Sequence, residues 1–214
     1  MSERAQYKTV KKYAGTVLTE KKSKFISSVY PVKDEQEALE KLNEVKKTYP
    51  DATHNVYAYV IDKNNIFRYS DDGEPSGTAG MPVLDTIRKE GIVDVLVVVT
   101  RYFGGTLLGT GGLVHAYGAS ARSGLLAAEI ITRTLCNRIY IKVGYTMTGK
   151  LNHEIAKSSY ILEDTVYDDS VTYIMLCKLS NTEKLISEFT EMTCGAAQIT
   201  IIDQTYVDIP SDDI

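Results

Sequence analysis

Hydrophobic and polar positions divide the chain into two successions of elements. GTVLTEKKSKFISSVYPV, residues 15–32, has β-branched and aromatic residues on both sides of Lys21–Lys24, which predicts two strands joined by a turn. Asp34-Glu35-Gln36-Glu37 has the form of a capping box, and Ala38, Leu42, Val45 and Tyr49 fall on one helical face until Pro50 ends it. HNVYAYVI (54–61) and NIFRY (65–69) read as strands of a hairpin. Met81–Arg88 reads as a helix, Ile92–Thr100 as a strand and Thr110–Ala128 as a helix. IVDVLVVVT has too few polar residues to face water on one side, so it belongs in the middle of a sheet.

From about Asn137 the rhythm changes to strand, helix, strand, strand, helix, strand. The segments are 137–147, 148–157, two strands within 160–179, 182–192 and 196–209. That βαββαβ order predicts a ferredoxin-like sandwich, an antiparallel sheet with two helices on one face. The expected division is therefore residues 1–135 and 136–214, with a hinge near Arg133–Arg138.

Composition narrows the class. The chain of 214 residues is 43% hydrophobic and 24% charged, enough for one large or two small globular domains. Its longest apolar run is far shorter than the ~18 residues of a membrane span, and its start carries charges without an apolar core, so neither membrane nor secretion is expected. Cys136, Cys177 and Cys194 fit neither a paired framework nor a CxxC ligand set, which points to reduced thiols and a cytoplasmic protein. Charge is uneven. Residues 1–135 carry 18 basic and 16 acidic side chains, residues 136–214 carry 6 and 12. Arg4, Lys8, Lys11, Lys12, Lys21, Lys22 and Lys24 form a basic arm able to meet phosphates, or a strand edge defended by lysines; both readings stand.

Two glycine-rich stretches carry the candidate chemistry. DDGEPSGTAG (71–80) is either a tight turn into a helix or a site in which glycines expose backbone amides and acids hold a cation or orient a partner. RYFGGTLLGTGG (101–112) leaves the apolar strand, holds five of the fifteen glycines and opens onto a helix, an arrangement suited to an anion. Known phosphate loops do not fit, because GxxxxGK[ST] is absent and Val114 stands where GxGxxG needs its last glycine. His54, His115 and His153 lack zinc-site spacing, no nucleophile stands beside a base, and Asp71, Asp72 and Glu74 lack the dedicated calcium-loop pattern. No cofactor or metal is therefore assigned. Tyr140, Tyr145, Tyr167 and Tyr173 could stack bases, though acidic surroundings favour packed or hydrogen-bonded tyrosines.

KKSKFI (21–26), DATHN (51–55), DDGEPSGTAG and VVVTRYFGG with LGTGGLVHAYG (97–118) resemble, in order, the signature blocks of the YigZ/IMPACT family. The resemblance implies an N-terminal α+β domain of the ribosomal-protein and GHMP-kinase-like superfamily joined to a ferredoxin-like domain, a pair similar to domains IV and V of elongation factor G. It also implies a link to translational control, which eukaryotic relatives exert with an added N-terminal domain by competing for an activator of a starvation-responsive kinase. A binding surface would then comprise Lys21, Lys22, Lys24, His54, Asp71, Asp72, Glu74, Ser76, Thr78, Arg101, Tyr102, Gly104, Gly105, Gly109, Gly111, Gly112 and His115. His115 departs from the family block, which usually has Arg before AYG, so a fixed charge becomes a titratable one. Arg101 remains the expected fixed cation. The function expected is a non-catalytic binding protein for RNA, the ribosome or translation factors. A metal-assisted phosphoryl transferase or hydrolase using Asp71, Asp72, Glu74 and Arg101 is the alternative.

Overall fold

A computed structural model describes residues 4–158 and 160–209, so the outermost parts of the two expected domains, 1–3 and 210–214, lie outside the described residues. The chain divides into two compact units. One is Tyr7–Thr132, and the other joins Arg133–Ile209 to the described residues 4–6.

The first unit is built on a five-stranded antiparallel sheet. Its strands are β2 (Ala14–Glu20), β3 (Ser23–Pro31), β4 (His54–Ile61), β5 (Ile66–Ser70) and β6 (Val95–Tyr102), in the order β2-β3-β6-β4-β5. The apolar strand β6 is central, as its sequence requires, and it is buried on both faces. Val95, Val97 and Val99 enter one core and Leu96 and Val98 the other. On the second face lies α1 (Glu35–Thr48), whose Ala38, Leu42 and Val45 are buried; Asp34 accepts from the Glu37 amide at 2.8 Å and Glu37 from the Lys33 amide at 2.9 Å. On the first face lie α2 (Gly80–Glu90) and α3 (Gly109–Ala127).

The second unit runs β7 (Ile130–Val143), α4 (Thr148–Lys157), β8 (Ile161–Tyr167), β9 (Val171–Lys178), α5 (Thr182–Met192), β10 (Gln198–Ile209). The order in the sheet is β8-β9-β7-β10, the ferredoxin-like arrangement expected from the succession of elements. Ile139, Ile141, Tyr173 and Met175 of the sheet pack with Leu151, Leu185 and Phe189 of the helices. Three features differ from the sequence reading, the first being that β6 runs Val95–Tyr102 rather than Ile92–Thr100, so that Arg101 and Tyr102 belong to the strand and not to the glycine loop. The basic arm contains a strand, β1 (Gln6–Val10), which also pairs β7, and β7 starts at Ile130 rather than near Asn137. Ile130-Ile131-Thr132 is β-branched and extends readily, but a loop and a strand end look alike without knowledge of the partner strand.

Candidate functional site

Antiparallel pairing gathers blocks that lie up to 80 residues apart. β3 and β4 begin, and β5 and β6 end, at the same end of the sheet, with Lys24 opposite Tyr102 and His54 opposite Arg101. Each of the motifs singled out above therefore has residues at this end.

The acidic loop uses its carboxylates on itself. Asp71 accepts from the amides of Gly77 (2.9 Å), Ala79 (3.0 Å) and Gly80 (2.8 Å), which shapes the loop and holds the start of α2. Asp72, at φ 47°, accepts from the Asn55 amide at 2.6 Å and from Lys46 Nζ at 3.4 Å. His54 Nδ1 lies 2.8 Å from the Asp72 carbonyl oxygen, so that nitrogen carries the proton and donates. Thr78 Oγ1 donates to the Pro75 carbonyl at 2.6 Å, while Ser76 and Gly77 are exposed. Asp71→Ala removes three bonds to one charged acceptor and should lower stability by about 2–3 kcal/mol, read as a lower urea midpoint with an unchanged slope.

Beneath the loop lies a buried polar cluster. Glu74 Oε1 accepts from Arg101 at 2.5 Å and from the Tyr117 hydroxyl at 2.8 Å, with His54 Nε2 at 3.8 Å. Arg101 and Glu74 side chains are only 6% and 4% exposed. Arg101 also donates to Ser23 Oγ at 3.3 Å and its guanidinium lies 5.4 and 5.6 Å from the rings of Phe25 and Phe103. Burial, then the adjacent Glu74 carboxylate, pushes the Tyr117 hydroxyl far above its ordinary value, so it stays a proton donor. The fixed cation thus faces an internal carboxylate instead of solvent. Thr100 Oγ1 and Asn55 Oδ1 form a separate buried bond at 2.7 Å.

What faces outward is different. Lys21 and Lys22, with φ 43° and 70°, form the two-residue turn between β2 and β3, a conformation that usually selects Asn-Gly. Gly104 packs against the Lys22 backbone, where an added Cβ would overlap its carbonyl, and the Gly104 amide donates to Ser23 Oγ at 3.2 Å. The lysine turn and the glycine loop are thereby locked side by side. Exposed around them are Lys24, Gly105, Thr106, Phe103 (47%) and Leu107 (84%). Tyr102 donates to Asp51 at 2.9 Å. Gly109 and Gly111 are exposed in the first turn of α3, and Gly112 is half-buried beside Leu108. His115 lies one turn further on, in a groove between α2 and α3 with Lys89, Glu90 and Arg122.

Sequence reasoning left out Tyr117 and Ser23, which complete the buried cluster, Lys46, which is partly exposed and pairs with Asp72, and Phe103 and Leu107, which are exposed. Tyr117, Ser23 and Phe103 stand inside the quoted blocks, so the signal was present but not their contacts. Lys46 lies in α1 with nothing in its surroundings to mark it.

Residues 21–125 match the family model described as the Impact N-terminal domain, and residues 141–196 match a domain of unknown function, DUF1949. The chain is 38% identical over 203 residues to IMPACT family member YvyE of Bacillus subtilis, covering 94% of each. It is 42% identical over 156 residues to IMPACT family member YigZ of Escherichia coli, covering 68% of this chain and 76% of that one. A protein IMPACT homolog of Dictyostelium discoideum is 43% identical over 109 residues, 48% of this chain and 31% of that one. A crystal structure of a hypothetical protein aligns with TM-score 0.59 and 26% identity, over 94% of this chain and 99% of that one.

Proposed function

This chain belongs to the IMPACT family, and from that premise we propose that it is a non-catalytic binding protein that modulates translation by associating with RNA, the ribosome or translation factors, with single-stranded RNA the ligand its surface suits best. The observation that carries the reading is the locked pair of turn and loop. Lys21, Lys22 and Lys24 supply charge for phosphates, and exposed Phe103 supplies a ring face for a base, on backbone held in place by the Gly104 contact. A preorganised surface loses less entropy on binding than a mobile arm.

The rival, a metal-assisted transferase or hydrolase, needs carboxylates directed at a substrate. Asp71, Asp72 and Glu74 instead accept from backbone amides, Lys46, Arg101 and Tyr117, which favours an architectural role for the loop.

The test is fluorescence anisotropy of the full chain with labelled single-stranded RNAs of different sequence over a salt series. Lys21→Ala with Lys22→Ala should weaken binding by a similar factor for every sequence, because phosphate contacts carry no sequence information. The slope of log affinity against log salt should shrink by about 1.4, roughly 0.7 for each phosphate contact removed from a single strand. Absence of RNA binding at low salt would reject the reading, as would an unchanged slope. Recovery of ribosomal RNA after crosslinking in cells would identify the strand involved.

A further inference from the structure

The two edges of the second unit's sheet both expose consecutive apolar residues, Ile161 and Leu162 on β8 among them, and differ in charge and regularity. β8 is blunted in its middle: its register shifts between Leu162 and Asp164, Glu163 and Asp164 bring charge, and the Thr165 amide donates to its neighbour Asp164 at 2.7 Å. β10, at the other edge, pairs β7 on one side. Its segment Gln198-Ile199-Thr200-Ile201-Ile202 contains no charge, proline or glycine. Ile201 and Ile202 are 48% and 47% exposed. Consecutive strand residues point to opposite faces, so apolar surface is left uncovered on both faces of the sheet at once. A helix or small ligand laid on one face covers only one of these side chains. A strand added at the edge flanks both.

We propose that the occupant is β10 of a second copy of this chain, paired antiparallel about a two-fold axis at Thr200. In that register Thr200 faces Thr200, Ile199 faces Ile201, Gln198 faces Ile202 and Asp203 faces Ala197. β-Branched residues oppose β-branched residues and threonine opposes threonine, pairings that stabilise sheets. Asp203 brings no uncompensated charge, because Arg138 donates to it at 2.8 Å. Moving the axis to Ile201 sets Ile199 against Asp203, and moving it to Asp203 sets two carboxylates face to face. The contact is isologous and closes with two copies. It is also short, below the roughly 800 Å² per partner of a standard interface, so association in the micromolar range is expected.

Crosslinking of the full chain tests both the contact and its register. Cys136 and Cys177 are buried and Cys194 is exposed, so the background is Cys194→Ser. Thr200→Cys brings two Cα atoms to about 4.5–5.5 Å, within disulfide reach, and mild oxidation should give a covalent dimer. Gln204→Cys places its pair about 27 Å apart at 3.4 Å per residue and should not crosslink. Sedimentation equilibrium of the unaltered chain at high micromolar concentration should show dimer, reduced by Ile202→Lys in a protein whose circular dichroism is unchanged. A monomer of the unaltered chain overturns the proposal, and so does crosslinking at Gln204 as rapid as at Thr200.

Discussion

Arg101→Ala is expected to lower the unfolding free energy of the first unit by about 3–5 kcal/mol, the range for removing one member of a buried ion pair. The pair lies almost wholly out of solvent, and deleting the guanidinium leaves the Glu74 carboxylate with Tyr117 as its nearest donor and His54 Nε2 at 3.8 Å. The void left beside Phe25, Phe103 and Ser23 adds to the cost. A double variant separates charge from packing. Arg101→Met with Glu74→Gln keeps the volume, removes both charges and leaves Tyr117 an acceptor, so it should cost less than Arg101→Ala alone. Urea denaturation of the unaltered protein, Arg101→Ala, Arg101→Met, Glu74→Gln and the double variant decides this: a double variant as unstable as the sum of Arg101→Met and Glu74→Gln would mean that the two residues act independently. In the RNA assay Arg101→Ala and Lys21→Ala with Lys22→Ala should also differ. The lysine variants keep full stability and lose affinity, whereas the arginine variant loses affinity only as its folded fraction falls.

Gly104→Val should have the largest effect on binding among single substitutions. Its side chain would occupy the position of the Lys22 carbonyl, and backbone cannot swing aside as a flexible side chain can. Turn and loop must then separate, which breaks the Gly104 amide bond to Ser23 and frees the Lys21-Lys22 turn, whose positive φ angles are unfavourable for side-chain-bearing residues. A stability loss of about 1–3 kcal/mol, as for overpacking elsewhere, should accompany a loss of RNA affinity at least as great as that of the lysine double variant. Gly105→Ala is the control for mere loss of glycine. Gly105 has φ 79° but open space around its Cβ position, so it tests backbone strain without displacing the turn. Affinity unchanged in Gly104→Val would show that the juxtaposition of turn and loop does not matter for binding.

Much of the architecture is legible from local pattern. A capping box and one apolar face place α1, the succession of strand-like and helix-like segments places the elements of the second unit, and continuous apolarity puts β6 at the centre of its sheet, because a strand buried on both faces cannot alternate. The blocks at 21–26, 51–55, 71–80 and 97–118 are likewise visible as clusters of unusual residues. The pairing of β1 is not visible, since β-propensity depends on the neighbouring strand, and neither is the early start of β7.

The sequence by itself determined which residues are charged, which backbone positions are free of a Cβ and which segments extend or coil, because these are properties of single residues and their near neighbours. Tertiary structure decided what each charge does. Arg101 and Lys22 are both cations in signature blocks, yet strand register turns Arg101 inward onto Glu74 while the β2–β3 turn holds Lys22 in solvent beside Gly104. That difference comes from long-range pairing between strands that begin and end together, and a charge is fixed in its role only by what such pairing places within a few ångströms of it.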